Sequence, residues 1–136
     1  MHGLHLIAEL HDCSGDPRLL ASAAALRELC TNLCRAFGLT PVGELFHQFD
    51  HGAVAGGVTG VVVLAESHLA VHTWPELKAV TLDLYVCNFS QDNSAAARRA
   101  GQQLIAAFAP ARTVQREIER GTPDRLPPAL VVPGSD

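Results

Sequence analysis

Between residues 79 and 88 the chain alternates without a fault. Val80, Leu82, Leu84 and Val86 fall on one side, and Thr81, Asp83, Tyr85 and Cys87 on the other. A period of two with one apolar face describes a strand covered on one side only, so the chain must build a sheet and a layer to cover it. Gly3–Leu10 repeats the pattern, with Leu4, Leu6 and Ala8 set against His5, Ile7 and Glu9. The cover is legible too. Asp16-Pro17 reads as an N-cap followed by proline at the first helical position. Leu26, Leu29, Cys30, Leu33, Cys34 and Phe37 then recur at helical spacing until Gly38 stops the run.

The remaining segments fill in the order. Residues 40–49 read as a second strand, and the three glycines of residues 50–57 as a loop. Residues 58–66 and 69–73 read as strands, and residues 75–78 as a turn, because Pro75 cannot donate to a ladder. Asn93 or Ser94 caps a second helix ending near Phe108, with Gly101 as an internal weakness of ~1 kcal/mol against alanine. Residues 112–119 form a last strand and residues 122–136 a tail. The expected fold is one α+β domain over residues 1–136, a two-layer sandwich of a mostly antiparallel sheet with two helices on one face.

Composition narrows the function. Apolar residues at 48% and charged residues at 18% exclude a disordered chain, and a net charge of −4 argues against a nucleic-acid partner. Nothing near Met1 reads as a signal peptide, and the longest apolar stretch, residues 58–65, is too short to span a membrane. Cys13, Cys30, Cys34 and Cys87 show no Cys-x-x-Cys spacing, so reduced thiols and a cytoplasmic location are expected.

The chemistry concentrates in residues 64–76, Leu-Ala-Glu-Ser-His-Leu-Ala-Val-His-Thr-Trp-Pro-Glu. A serine between an acid and an imidazole, with His72 five residues on and the only tryptophan beside Pro75-Glu76, is not something strand-building requires. This block resembles the self-processing site of the prokaryotic S-adenosylmethionine decarboxylases. Phe46-His47-Gln48-Phe49, Gly57-Val58-Thr59-Gly60, residues 83–87 and Glu119-Arg120-Gly121 follow the same family pattern in the same order. Two stretches depart from it: Leu77-Lys78-Ala79 stands where the family has tyrosine and glycine after Pro-Glu, and the segment from Asp50 to Gly56 is longer.

The resemblance implies a pyruvoyl enzyme. The Ser67 hydroxyl attacks the Glu66 carbonyl, and the Glu66–Ser67 bond is exchanged for an ester. Loss of the serine α-proton then splits the chain into a β chain, residues 1–66, and an α chain, residues 67–136, headed by a pyruvoyl group. On the family pattern His72 is the processing base, and Thr59 occupies the position of a serine that assists cleavage. Cys87 is the proton donor, Phe49 stacks on adenine and Glu76 holds the ribose hydroxyls. The pyruvoyl group forms a Schiff base with the substrate amine and draws electrons as carbon dioxide leaves. The implied product is the aminopropyl donor of spermidine synthesis. The implied assembly is a homodimer, sheet packed on sheet as αββα, with pocket residues drawn from both protomers.

Other readings give distinct expectations. A pyruvoyl decarboxylase of arginine or ornithine shares the mechanism. A thiol enzyme would use Cys87 as nucleophile and His72 as base with Ser67 uncut. A non-catalytic partner protein would keep only the fold. His68 and His72 share one face of a strand, but no third ligand at metal spacing accompanies them, so no metal is expected. Cys30 and Cys34 read as core; Lys78, His51 and Cys13 receive no role.

Overall fold

The computed structural model describes residues 2–88 and 91–121. Six strands form one sheet: β1 (Gly3–Cys13), β2 (Pro41–His51), β3 (Val54–Leu64), β4 (His68–Trp74), β5 (Ala79–Cys87) and β6 (Pro110–Arg120). Their spatial order is β2-β3-β4-β5-β1-β6, and every neighbouring pair is antiparallel. The helices α1 (Arg18–Ala21), α2 (Ala23–Ala36) and α3 (Ser94–Phe108) cover one face. The expected two-layer α+β sandwich is therefore what the chain forms, with three α-helices among the described residues in place of two. None of them, among the described residues, is long and apolar enough to cross a membrane.

The alternation read from the sequence sets the core. Leu4, Leu6, Ala8 and Leu10 of β1 and Val80, Leu82, Leu84 and Val86 of β5 are buried beneath Leu26, Cys30 and Cys34 of α2 and Ala97, Ala100, Leu104 and Phe108 of α3. Each such aliphatic side chain contributes roughly 1.5–3 kcal/mol by leaving water. Gly101 earns its place here: a Cβ on it would lie 3.2 Å from Leu6 Cδ1, so the glycine lets α3 settle close on β1.

Two sequence expectations need correction, and a third holds with an added contact. The single helix expected after Asp16-Pro17 is broken at Ser22, whose backbone is extended (φ −122°, ψ 114°) and whose hydroxyl accepts from the Ala25 N–H at 3.2 Å. Ser22 is thus a second N-cap that the helical periodicity conceals. The loop expected over residues 50–57 is instead the end of a long hairpin turning at Gly52-Ala53, and of its glycines only Gly52 takes a positive φ (67°). Asn93, one of the two expected, is the N-cap of α3, its carbonyl accepting from the Ala97 N–H at 2.9 Å; its side chain makes no capping bond, and the Asp92 carboxylate accepts from the Ser94 N–H at 2.9 Å instead.

Gly38 stops α2 as expected. Its φ is 78°; its N–H reaches the Arg35 carbonyl at 3.1 Å, and the Leu39 N–H reaches that of Cys34 at 2.9 Å. These are the two bonds of a Schellman closure. The last strand runs longer than expected at both ends, and Pro75–Leu77 forms a 3-10 turn closed by Lys78 at φ 49°. The tail expected over residues 122–136 lies outside the described residues.

Candidate active site

The Glu66–Ser67 bond lies in the tight turn between β3 and β4. The Leu64 N–H donates to the Ser67 carbonyl at 2.9 Å and the Ser67 N–H returns to Leu64 at 3.4 Å, so Ala65 and Glu66 are the two turn residues. The Ala65 N–H donates to the Thr40 carbonyl at 3.0 Å, pinning the turn to the connection after α2. The Ser67 hydroxyl accepts from the Cys87 N–H at 3.1 Å, and the Asn93 side-chain amide donates to the Cys87 carbonyl at 3.1 Å. Glu66 and Ser67 border a cleft of about 100 Å³ with Thr40, Gln91 and Asn93.

Cys87 departs from its expected setting. Alternation puts it on the open sheet face, yet it is only 6% exposed. Asn93, at the start of α3, packs onto the end of β5 there through its bond to the Cys87 carbonyl. All four cysteines are free thiols and all are buried.

A second constellation sits at the other end of β4. Phe49, Gly57, Thr59, His72, Thr73, Trp74 and Glu76 line a cleft of about 320 Å³. Thr59 and His72 face each other across the β3–β4 ladder, with Thr59 Oγ1 3.0 Å from His72 Nδ1. In the tautomer with Nδ1 unprotonated, the hydroxyl donates and the imidazole is the acceptor. The His72 and Trp74 rings lie 6.3 Å apart, and Phe49 packs edge-on against His47 at 4.6 Å. Aromatic walls with a carboxylate at the rim suit a flat, positively charged ligand.

Backbone packing shapes this cleft. A Cβ on Gly57 would run into the Thr73 carbonyl oxygen, so that position must be glycine for β3 to lie where it does; one on Gly60 would displace the Phe46 ring. The Thr73 hydroxyl is buried, donating to the Leu20 carbonyl at 2.7 Å and accepting from the Val58 N–H at 2.9 Å. Gln48 accepts from the Ala23 N–H at 2.8 Å and donates to Gly56 and Phe49 carbonyls at 3.1 Å. It thereby fixes the hairpin bearing Phe49 to the start of α2.

The sequence-derived residues therefore fall into two groups. Ser67 and Cys87 meet at the start of β4; Thr59, His72, Phe49 and Glu76 gather at its far end. His72 lies five residue steps beyond Ser67, roughly 16 Å of extended chain. Within one chain His72 is not beside the serine it was expected to serve. Trp74, Thr73 and Gln48 were assigned no role from sequence, although Trp74 was visible in the motif itself.

Comparison with known proteins bears on this arrangement. The S-adenosylmethionine decarboxylase family model matches residues 4–121. The chain is 37% identical over 120 residues to the S-adenosylmethionine decarboxylase proenzyme of Hydrogenobaculum sp., covering 88% of this chain and 81% of that protein. It is 33% identical over 134 residues to the proenzyme of the same name from Parasynechococcus marenigrum, covering 98% and 100% respectively. The crystal structure of the adenosylmethionine decarboxylase from Aquifex aeolicus superposes with a TM-score of 0.76 at 32% identity, over 88% of this chain and 91% of that one.

Proposed function

Because the chain belongs to the S-adenosylmethionine decarboxylase family, we propose that it cuts itself between Glu66 and Ser67 and then decarboxylates S-adenosylmethionine to the aminopropyl donor used in spermidine synthesis. The observation that carries this reading is the cleft of Phe49, Trp74 and Glu76 around the Thr59–His72 pair. An adenine ring stacks on Phe49, ribose hydroxyls donate to Glu76, and the sulfonium sits against aromatic faces.

Processing needs a hydroxyl next to a carbonyl in a turn, and Ser67 supplies it with room beside the bond for the freed Glu66 end. The residues present thus fit a pyruvoyl group formed at position 67. Once formed, that group supplies an electron-withdrawing ketone that condenses with a primary amine. Cys87, whose N–H already contacts Ser67, is the proton donor to the substrate carbon after carbon dioxide departs. His72, holding the Thr59 hydroxyl, is the processing base.

The separation of the two groups supports a homodimer whose pockets are shared. The open sheet face bears Leu45 at 66%, Val63 at 44% and Ile118 at 45% exposure, an apolar surface suited to a second sheet. With two sheets packed face to face, Ser67 and Cys87 of one protomer serve the cleft of its partner. Arginine or ornithine is the alternative substrate, but neither presents a ring for Phe49 and Trp74.

Intact-mass spectrometry of the purified protein tests the cut: two species are expected, the larger-numbered one with a blocked N-terminus. Carbon dioxide release from carboxyl-labelled S-adenosylmethionine, arginine and ornithine tests the substrate. An uncut, fully active chain, or release from a basic amino acid alone, would overturn the proposal.

A further inference from the structure

The open face of the sheet holds a polar group that the proposed reaction does not use. His5 of β1 and His68 of β4 lie on either side of Tyr85 in β5, and Asp83 stands one alternation along that strand. Both imidazoles turn their Nε2 atoms toward the same carboxylate oxygen, Asp83 Oδ1, at 3.3 Å from His5 and 3.2 Å from His68. His5 Nε2 is shielded from solvent, and although it is near Asp83 its direction does not make a hydrogen bond. A buried ring nitrogen left without a hydrogen-bonding partner is costly.

We propose that His5, His68 and Asp83 bind one divalent transition-metal ion, zinc or a close neighbour of zinc. The three donor atoms lie within 4.8 Å of one another. With metal–ligand bonds near 2.0–2.1 Å, tetrahedral neighbours sit roughly 3.3 Å apart, the spacing already present on two edges; a small rotation of the imidazoles closes the third. Two imidazoles and one carboxylate select zinc, nickel, cobalt or copper over magnesium or calcium. In the single chain His68 and Asp83 are partly open; in the proposed dimer this face is covered, so the fourth position falls to a water or a side chain held between the two sheets.

The surroundings limit the affinity. The Arg120 guanidinium lies over the Tyr85 ring at 4.5 Å, with one nitrogen 3.5 Å from His5 Nδ1. That brings a positive charge near the ion. Because a metal on Nε2 requires the ring proton on Nδ1, Arg120 must also turn away from His5, at the position where tight sites provide a carboxylate or carbonyl partner. Micromolar binding is therefore expected, weaker than in sites that need metal to fold. The pattern was hidden in sequence because its ligands come from three strands; the pair His68–His72 attracted notice, but His72 faces Thr59 instead.

The test is titration of chelator-treated protein with cobalt(II), read by its ligand-field absorption, and with zinc(II) by calorimetry. One ion per chain is expected, weakened about tenfold or more by His5→Gln or Asp83→Asn and unchanged in His72→Ala and Cys87→Ala. His68→Cys keeps the ligand count and should add a thiolate-to-cobalt charge-transfer band, a readout that does not depend on the other variants folding. Absence of saturable binding would overturn the site, as would binding that survives the His5 and Asp83 substitutions or vanishes with Cys87→Ala. None of these readouts requires the chain to be cut or active.

Discussion

At the scale of single residues the contacts around β3 and β4 make firm demands. Gly57→Ala should push a methyl group into the Thr73 carbonyl and prise apart the ladder that holds Thr59 against His72. A loss of about 1–3 kcal/mol in denaturant stability is expected, with slower self-cleavage. Cys87→Ala should still be cut, but turnover should fall by about 10²–10⁴-fold, the usual contribution of a general acid; steady-state kinetics on the processed protein checks it. His72→Ala should slow maturation itself, seen as persisting full-length chain on a gel. The identities of these residues were legible because family motifs mark them. Their separation was legible in principle as well: once Ala65-Glu66 is taken as a two-residue turn, antiparallel pairing sets Thr59 opposite His72, and both at a distance from Ser67. What hid it was reading proximity in sequence as proximity in space along an extended strand.

At the scale of elements, strands announced themselves and helix punctuation did not. Alternation gave β5 to within a residue and the start of β1, which runs on past Leu10 to Cys13, because a sheet with one covered face leaves a strict period of two. The break at Ser22 escaped notice because alanines and leucines on both sides favour helix, and only the hydroxyl-to-amide bond shows that a new helix starts there. Ser22→Ala should cost about 1 kcal/mol, measured by chemical denaturation. The cysteines of α2 give that helix a pH signature. Burial pushes the Cys34 thiol from the ordinary 9.0 up to about 11, and Cys30 further still. Unfolded, both would ionise near 9; folded, they keep their protons, so the native state binds more protons above that pH. Stability should therefore be fully present below about pH 9 and fall as pH rises toward 11, by about 1.4 kcal/mol per unit for each thiol. Denaturation midpoints compared at neutral and alkaline pH test this, and Cys34→Ala should flatten the slope.

At the scale of the whole molecule, layer architecture followed from pattern alone, whereas a pocket shared between two chains was implied only by the family resemblance. The proposed homodimer makes a quantitative prediction. Cys87→Ala impairs the serine end of a site and Glu76→Gln its cleft, so coexpressing the two variants should restore about a quarter of wild-type activity through randomly paired hybrids. If each pocket came from one chain, mixing would restore nothing. The strand order carries a last consequence. Strand β1 lies between β5 and β6, so a piece that ends at Glu66 threads one strand through the middle of the other piece. Severing the backbone would thus release neither part while the sheet stays intact. Once melted, however, the two would have to meet again in solution, and recovery would become second order. The melting temperature of the mature protein should then climb with its concentration more steeply than that of an uncut Ser67→Ala chain, for which dimerisation is the only step that joins separate pieces.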